Sequence, residues 1–131
     1  MVSSFTVPIS ISSPDGARSA EVEALVDTAS TLVVVPPSLA RTLGLIPVEE
    51  REFSLGNEQK IPLAVALAQV TVGGRTTGAR VAISPAEGRP ILGVTVLELL
   101  GLAVDPVHER LVPVDYLFKP VRVAAGTEAL A

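Results

Sequence analysis

The sequence predicts an all-β domain carrying two short helices. Three observations lead there. Apolar residues alternate with polar ones in short runs, the two-residue period of a half-buried strand. Glycine- and proline-containing turns separate those runs. Hydrophobic residues reach 48% while aromatic residues reach only 3%, so the core must be assembled from Val, Leu, Ile and Ala, and the β-branched members of that set favour strands. A chain of 131 residues suits one domain.

The elements follow in order. SFTVPISIS (4–12) places Phe5, Val7, Ile9 and Ile11 on one face of a strand. PDGA (14–17) is a turn, and RSAEVEALVD (18–27) is the returning strand of a hairpin. TLVVV (31–35) is a buried strand. In PPSLARTLGL, prolines suit a first helical turn, Leu39, Ala40 and Leu43 form an apolar stripe, and Gly44 stands where a C-terminal cap belongs, which predicts a helix over 37–43. REFSLGNEQKIPLAVAL (51–67) reads as two strands around the polar turn GNEQ, and the acidic cluster Glu49, Glu50 and Glu52 reads as a solvated connector. AQVTVGGRTTGARVAIS (68–84) reads as a further hairpin turning at Gly73-Gly74, and AEGR (86–89) as a loop. PILGVTVLELLGLAVDP then runs strand, Gly93, helix over 94–100, Gly101, strand. DPVHER (105–110) is a turn and LVPVDYLF (111–118) a last strand, followed by a small-residue tail expected to be poorly ordered. The helices LARTLGL and VLELLGL echo one another, with Gly44 and Gly101 57 residues apart. The echo implies a two-halved β domain with one helix per half.

The totals exclude several classes of function. The net charge of −4 and the absence of a Lys/Arg cluster argue against nucleic acid or an anionic membrane as partner. With no cysteine there is no disulfide, thiolate nucleophile or Cys-based zinc site, and with His108 alone there is no multi-histidine metal site within the chain. No cofactor or metal is expected. The N-terminus lacks the basic start and long apolar stretch of a signal peptide, and the 14 residues 91–104 are too short and too interrupted by Glu98 to span a bilayer. A soluble, cytoplasmic protein is the expectation. Gly73-Gly74 is a hairpin turn and not a phosphate cradle, because no helix with Lys-Ser/Thr follows. His108 is expected at the surface.

EALVDTASTLVVVPP (23–37) sets an acid, Asp27, inside an aliphatic run. A buried carboxylate needs partners or a shifted pKa. Asp27 is therefore either a structural acid that caps its own turn through the amides that follow it, or an acid held there for chemistry.

ALVDTAST (24–31) resembles the active-site loop of retropepsin-like aspartic proteases, whose signature is apolar-apolar-Asp-Thr/Ser-Gly-Ala/Ser. ILGVTVLELLGL (91–102) resembles their downstream apolar-apolar-Gly element and short helix, and the order of hairpins and helices from 4 to 118 is similar too. The resemblance implies a retropepsin-like closed β-barrel with a flap hairpin and two short helices over residues 1–119, with 120–131 as a tail. It implies an aspartic endopeptidase that hydrolyses extended peptides through two carboxylates sharing one proton around a water. Only one Asp-Thr-x-Ser string is present, and Asp15, Asp105 and Asp115 lie in or beside turns. The second carboxylate is then Asp27 of a second copy, in a two-fold homodimer. By the same resemblance Thr28 reaches across the axis, Ser30 donates to Asp27, and the amide of Ala29 points at the carboxylate. Leu92 and Gly93 pack beneath the loop, and Leu55, Gly56 and Asn57 form the flap over the substrate. One position departs from the pattern. Ala29 replaces the family's glycine and adds a Cβ near the substrate path. The alternative to a full protease is therefore a weak or inactive dimerisation and peptide-binding module on the same fold.

Overall fold

The computed structural model describes residues 5–122. The expected tail falls mainly at 123–131, and the start of the chain at 1–4; both lie outside the described residues. Strands β1 (Phe5–Ser12) and β2 (Ser19–Val26) form an antiparallel hairpin in register from Phe5↔Val26 to Ser12↔Ser19. The turn between them is closed by the Ser13 amide donating to Arg18 O at 2.9 Å. It is tightened by Asp15 Oδ1, which accepts from Ser13 Oγ at 2.7 Å and from the Ala17 amide at 3.0 Å. Alternation along the hairpin buries Ile9, Ile11, Ala24 and Val26.

The chain then passes through β3 (Val33–Val35), helix α1 (Pro37–Leu43), and strands β4 (Pro47–Ser54), β5 (Lys60–Val72) and β6 (Arg75–Ile83). Next come β7 (Ile91–Leu92), helix α2 (Val94–Leu100), and a separate two-stranded sheet of β8 (Leu102–Asp105) and β9 (Arg110–Pro113). The large sheet runs β1-β2-β7-β3-β6-β5-β4, and β1 pairs with β5 as well. β7 lies parallel to β2 and antiparallel to β3, while β3 lies parallel to β6. The short β7 thus sits between the two strands that flank the Asp27 segment.

Three readings of the sequence are corrected. The single 13-residue β5 replaces the two strands read on either side of residue 67. It is continuous because one edge serves two partners: residues 60–66 pair with β4 and residues 69–71 with β1, while β6 lines the other edge. The acidic stretch around Glu49 is not a connector but part of β4, and Glu49 forms an ion pair with Arg80 of β6. The final strand stops at Pro113; Val114 makes one more backbone bond, to Gly101 O at 2.8 Å, and residues 114–122 carry no regular structure.

Both helices form where expected. Each ends on a glycine in the left-handed region, Gly44 at φ 64° and Gly101 at φ 68°, a conformation that costs side-chain-bearing residues about 1–2 kcal/mol. The carboxylate of Glu87 caps α1 from a distant loop by accepting from the Ser38 amide at 2.9 Å and from Ser38 Oγ at 2.6 Å. The 57-residue echo extends to the structure. Residues 37–43 and 94–100 are the two helices. Arg18 packs against Gly44, and 57 residues on, Arg75 packs against Gly101. Arg75 also donates to the Leu100 and Gly101 carbonyls, at 2.9 Å each.

The β8–β9 turn is organised by Asp105. Its carboxylate pairs with His108 Nδ1 at 2.9 Å and accepts from Arg110 Nε at 3.2 Å and the Val107 amide at 3.1 Å. The His108 hydrogen bond, then the backbone amides and Arg110, hold Asp105 below the usual carboxylate range. A depressed folded-state pKa stabilises the protein above the ordinary carboxylate range, and that contribution disappears as pH falls through the lowered value. Acid titration of melting temperature is expected to show a smaller acid-side decline in Asp105→Asn than in the native chain. At the β1–β5 seam, Ile11 and Val70 pair at 1% and 0% exposure. Ile11→Ala is expected to cost about 2–5 kcal/mol in urea unfolding.

Candidate active site

Asp27 follows the last residue of β2, and the backbone on both sides of it is tied to β7 and α2. The Leu25 amide donates to Pro90 O at 2.9 Å and the Asp27 amide to Leu92 O at 3.1 Å. After the turn, the Val94 amide donates to Ser30 O at 2.8 Å and the Thr95 amide to Thr31 O at 3.2 Å. The turn itself closes with the Ser30 amide donating to Asp27 O at 3.1 Å. These bonds draw the loop so close that Gly93 has no room for a side chain. A Cβ there would lie 2.4 Å from Leu32 O and 2.7 Å from Ser30 O. Gly93 has φ −89°, so contact, not backbone conformation, demands glycine.

The Asp27 side chain is half-buried. Its Oδ1 accepts from the Ala29 amide at 3.0 Å. Among the described residues it has no ion-pair partner. Ser30 Oγ donates to Leu32 O at 2.8 Å and not to Asp27, correcting the bond expected from the resemblance. The hydroxyl is drawn to the carbonyl that the Gly93 approach would otherwise leave in a crowded, partly buried space. Thr28 and Ala29 face solvent. Among the described residues outside glycine, only Glu58 and Glu109 have positive φ, so the Ala29 backbone does not require glycine. Its exposed Cβ meets whatever lies beyond this chain.

The second half of the chain repeats this loop without its acid. Fifty-seven residues after Asp27, the Ser84 amide donates to Val35 O at 2.8 Å, as the Asp27 amide does to Leu92 O. The Ala86 amide donates to Ser84 Oγ at 3.1 Å, as the Ala29 amide does to Asp27 Oδ1. One scaffold turn carries a carboxylate and the other a hydroxyl.

Leu55, Gly56 and Asn57 form the exposed tip of the β4–β5 hairpin. The Leu55 amide donates to Gln59 O at 2.9 Å, the Gly56 amide to Ser54 Oγ at 3.2 Å, and the Gln59 amide to Asn57 Oδ1 at 3.3 Å. Leu55 is 57% exposed, although it is apolar. Between this arm and the segment after Asp27 lies a cavity of about 310 Å³, lined by Thr31, Leu32, Arg51, Phe53, Val65 and Arg80 among others. None of these six was picked out as a site residue from the sequence. Phe53, two residues before the flap tip and one of three phenylalanines, was the available signal. Among the described residues no group of three His, Cys, Asp or Glu side chains could hold a metal ion, and no helix is long and apolar enough to cross a membrane.

A family model described as aspartyl protease matches residues 7–104. No curated protein sequence matches significantly. Similar solved structures include the EIAV protease in complex with an inhibitor, at 17% identity and TM-score 0.55, covering 75% of this chain and 88% of that one. A retropepsin-like aspartic protease from Rickettsia conorii is similar at 19% identity and TM-score 0.52, covering 80% and 89%. The retroviral protease-like domain of Ddi1 from Leishmania major is similar at 17% identity and TM-score 0.54, covering 86% and 90%. At these identities the likeness is one of fold.

Gly93→Ala is expected to cost at least about 2 kcal/mol, because the atoms it meets are backbone. Gly88→Ala, with nothing within 4 Å, should change stability by less than about 0.5 kcal/mol. Paired urea melts check the contrast.

Proposed function

Because the chain belongs to the aspartyl protease family, we propose that it is a homodimeric endopeptidase in which Asp27 of each copy contributes one carboxylate to a shared site. The observation that carries this reading is the loop itself. A half-buried carboxylate is oriented by the Ala29 amide on a turn fastened to the Leu92–Gly93 backbone, and no second acid accompanies it on the equivalent turn at Ser84. A single carboxylate cannot serve as base and acid in the same step. A second copy related by a two-fold axis supplies the missing one.

The chemistry then follows. Two carboxylates about 3 Å apart cannot both ionise, so they hold one proton between them. The ionised member takes a proton from water as its oxygen bonds to the peptide carbonyl carbon, and the protonated member gives its proton to the carbonyl oxygen. The tetrahedral intermediate collapses as a proton passes to the amide nitrogen and the C–N bond breaks. Thr28, exposed at the loop, reaches toward the partner loop. Ser30 holds the loop through Leu32. Leu92 and Gly93 support it, and the tip at Leu55, Gly56 and Asn57 closes over an extended peptide and excludes water. No metal or cofactor is required. Cleavage should be fastest in acid, because one carboxyl must stay protonated.

Ala29 supports a second reading, a dimeric peptide-binding module with little or no turnover. Its Cβ lies on the exposed side of the loop, where substrate and partner would approach.

Incubation with an unfolded protein across pH 3 to 7, with and without a statine-type transition-state mimic, separates the two readings. Inhibitable cleavage is expected. Asp27→Asn is expected to abolish it, by at least about 10³-fold, with the dimer intact by sedimentation; surviving cleavage would exclude Asp27 as the catalytic acid. Ala29→Gly should raise kcat/KM, and unchanged or lower turnover would remove the steric role assigned to the alanine.

A further inference from the structure

The arm that ends in the exposed tip also carries charge into the cleft. Register between β4 and β5 is regular from Glu49 to Ser54, so alternate side chains of β4 share a face. Glu49, Arg51 and Phe53 form one such set, and all three line the cleft of about 310 Å³. Glu49 and Phe53 are half-buried there, opposite Val65 and Ile61 of β5. Glu50 and Glu52 belong to the opposite set, although Glu52 also borders the cleft. Arg80 of β6 joins the Glu49 face, since its partner Leu67 lies two residues beyond Val65. Glu49 and Arg80 form an ion pair, so their charges offset one another. Arg51 is exposed and, among the described residues, takes part in no ion pair. The cleft-facing set therefore keeps one uncompensated positive charge, on a chain whose net charge is −4.

We propose that Arg51 is a specificity-determining residue that makes the cleft select extended peptides with an acidic side chain, Asp or Glu, near the bond to be cut. This deepens the endopeptidase reading and rests on the cleft being the peptide site. The chemistry of the guanidinium selects the occupant. It offers five N–H donors in a planar fork that matches the two oxygens of a carboxylate. A Lys or Arg side chain would meet Arg51 as a like charge. The anion on the same face that could hold such a cation, Glu49, is already engaged by Arg80. Because Arg51 stays in contact with water, the selection is that of an exposed ion pair, a factor of about three.

The test compares kcat/KM of the native protein on peptides that differ at one residue, Glu, Gln or Lys. That residue is moved stepwise away from the scissile bond on either side. At one position or more, Glu is expected to exceed Gln about threefold at about pH 6 and low salt, with Lys below both. Added salt should shrink the advantage by screening the pair. The advantage should vanish near about pH 3, where a Glu side chain with a pKa of about 4.3 is protonated. Arg51→Gln is expected to level the three peptides, and Arg51→Glu to reverse their order. Arg41→Glu makes the same charge change on α1, outside the cleft, and is expected to preserve the order. Fluorescence anisotropy with the Asp27→Asn dimer reads the same order as Kd values, without turnover. Equal handling of the three peptides at every position, a preference for Lys, or an order unchanged in Arg51→Glu overturns the role of Arg51 while the endopeptidase reading stands. Binding without cleavage removes the endopeptidase reading, and the order of the Kd values then decides for or against Arg51. Absence of both binding and cleavage overturns both.

Discussion

Gly93 has no side chain because the carbonyl oxygens of Leu32 and Ser30 occupy the space where one would begin. This approach of two backbones is the constraint from which the candidate site is built. It lets the Asp27 amide reach Leu92 and the Val94 amide reach Ser30, so the acidic loop is held between a strand end and a helix start. Each such bond contributes only about 1 kcal/mol net. Their combined effect is positional: they fix the turn on which the Ala29 amide meets the carboxylate. The β2-β7-β3 arrangement makes this possible by placing β7 between the strands on either side of the loop.

The half-repeat sharpens the functional argument. Arginines at 18 and 75, helices at 37–43 and 94–100, and hydrogen-bonded turns at 27 and 84 recur at one spacing. Two copies of a scaffold exist in one chain, but only one bears an acid. Chemistry that needs paired carboxylates must then look outside the chain, and an exposed Thr28–Ala29 edge is where a second copy would meet it. The retropepsin-like fold makes that reading coherent, while fold alone does not grant activity.

Much of this was legible in the residues. The two helices are bounded by Pro36-Pro37 and Gly44 in one case and by Gly93 and Gly101 in the other, and such punctuation is local. The Asp27–Ala29 turn is equally local. What escaped was set by partners distant in sequence. Nothing within LAVALAQVTV shows that β5 continues through residue 67; its length follows from serving β4 and β1 along one edge. Glu49 reads as a solvated acid until β6 brings Arg80 beside it. Ser30 matched a signature, and the signature implied a bond to Asp27, but the crowded Leu32 carbonyl next to Gly93 claimed its hydroxyl. The C-terminal run LVPVDYLF has strand composition, yet β8 begins only at Leu102, in antiparallel register with Pro113, which leaves later residues no ladder to join.

The proposed mechanism requires two copies to bring their Asp27 side chains together. The separation of those carboxyl groups in a crystal structure of the assembled protein tests it most directly. A shared proton requires a two-fold dimer with the nearest carboxyl oxygens about 3 Å apart. A solitary subunit, or a dimer that leaves the two acids well separated and open to solvent, would contradict it.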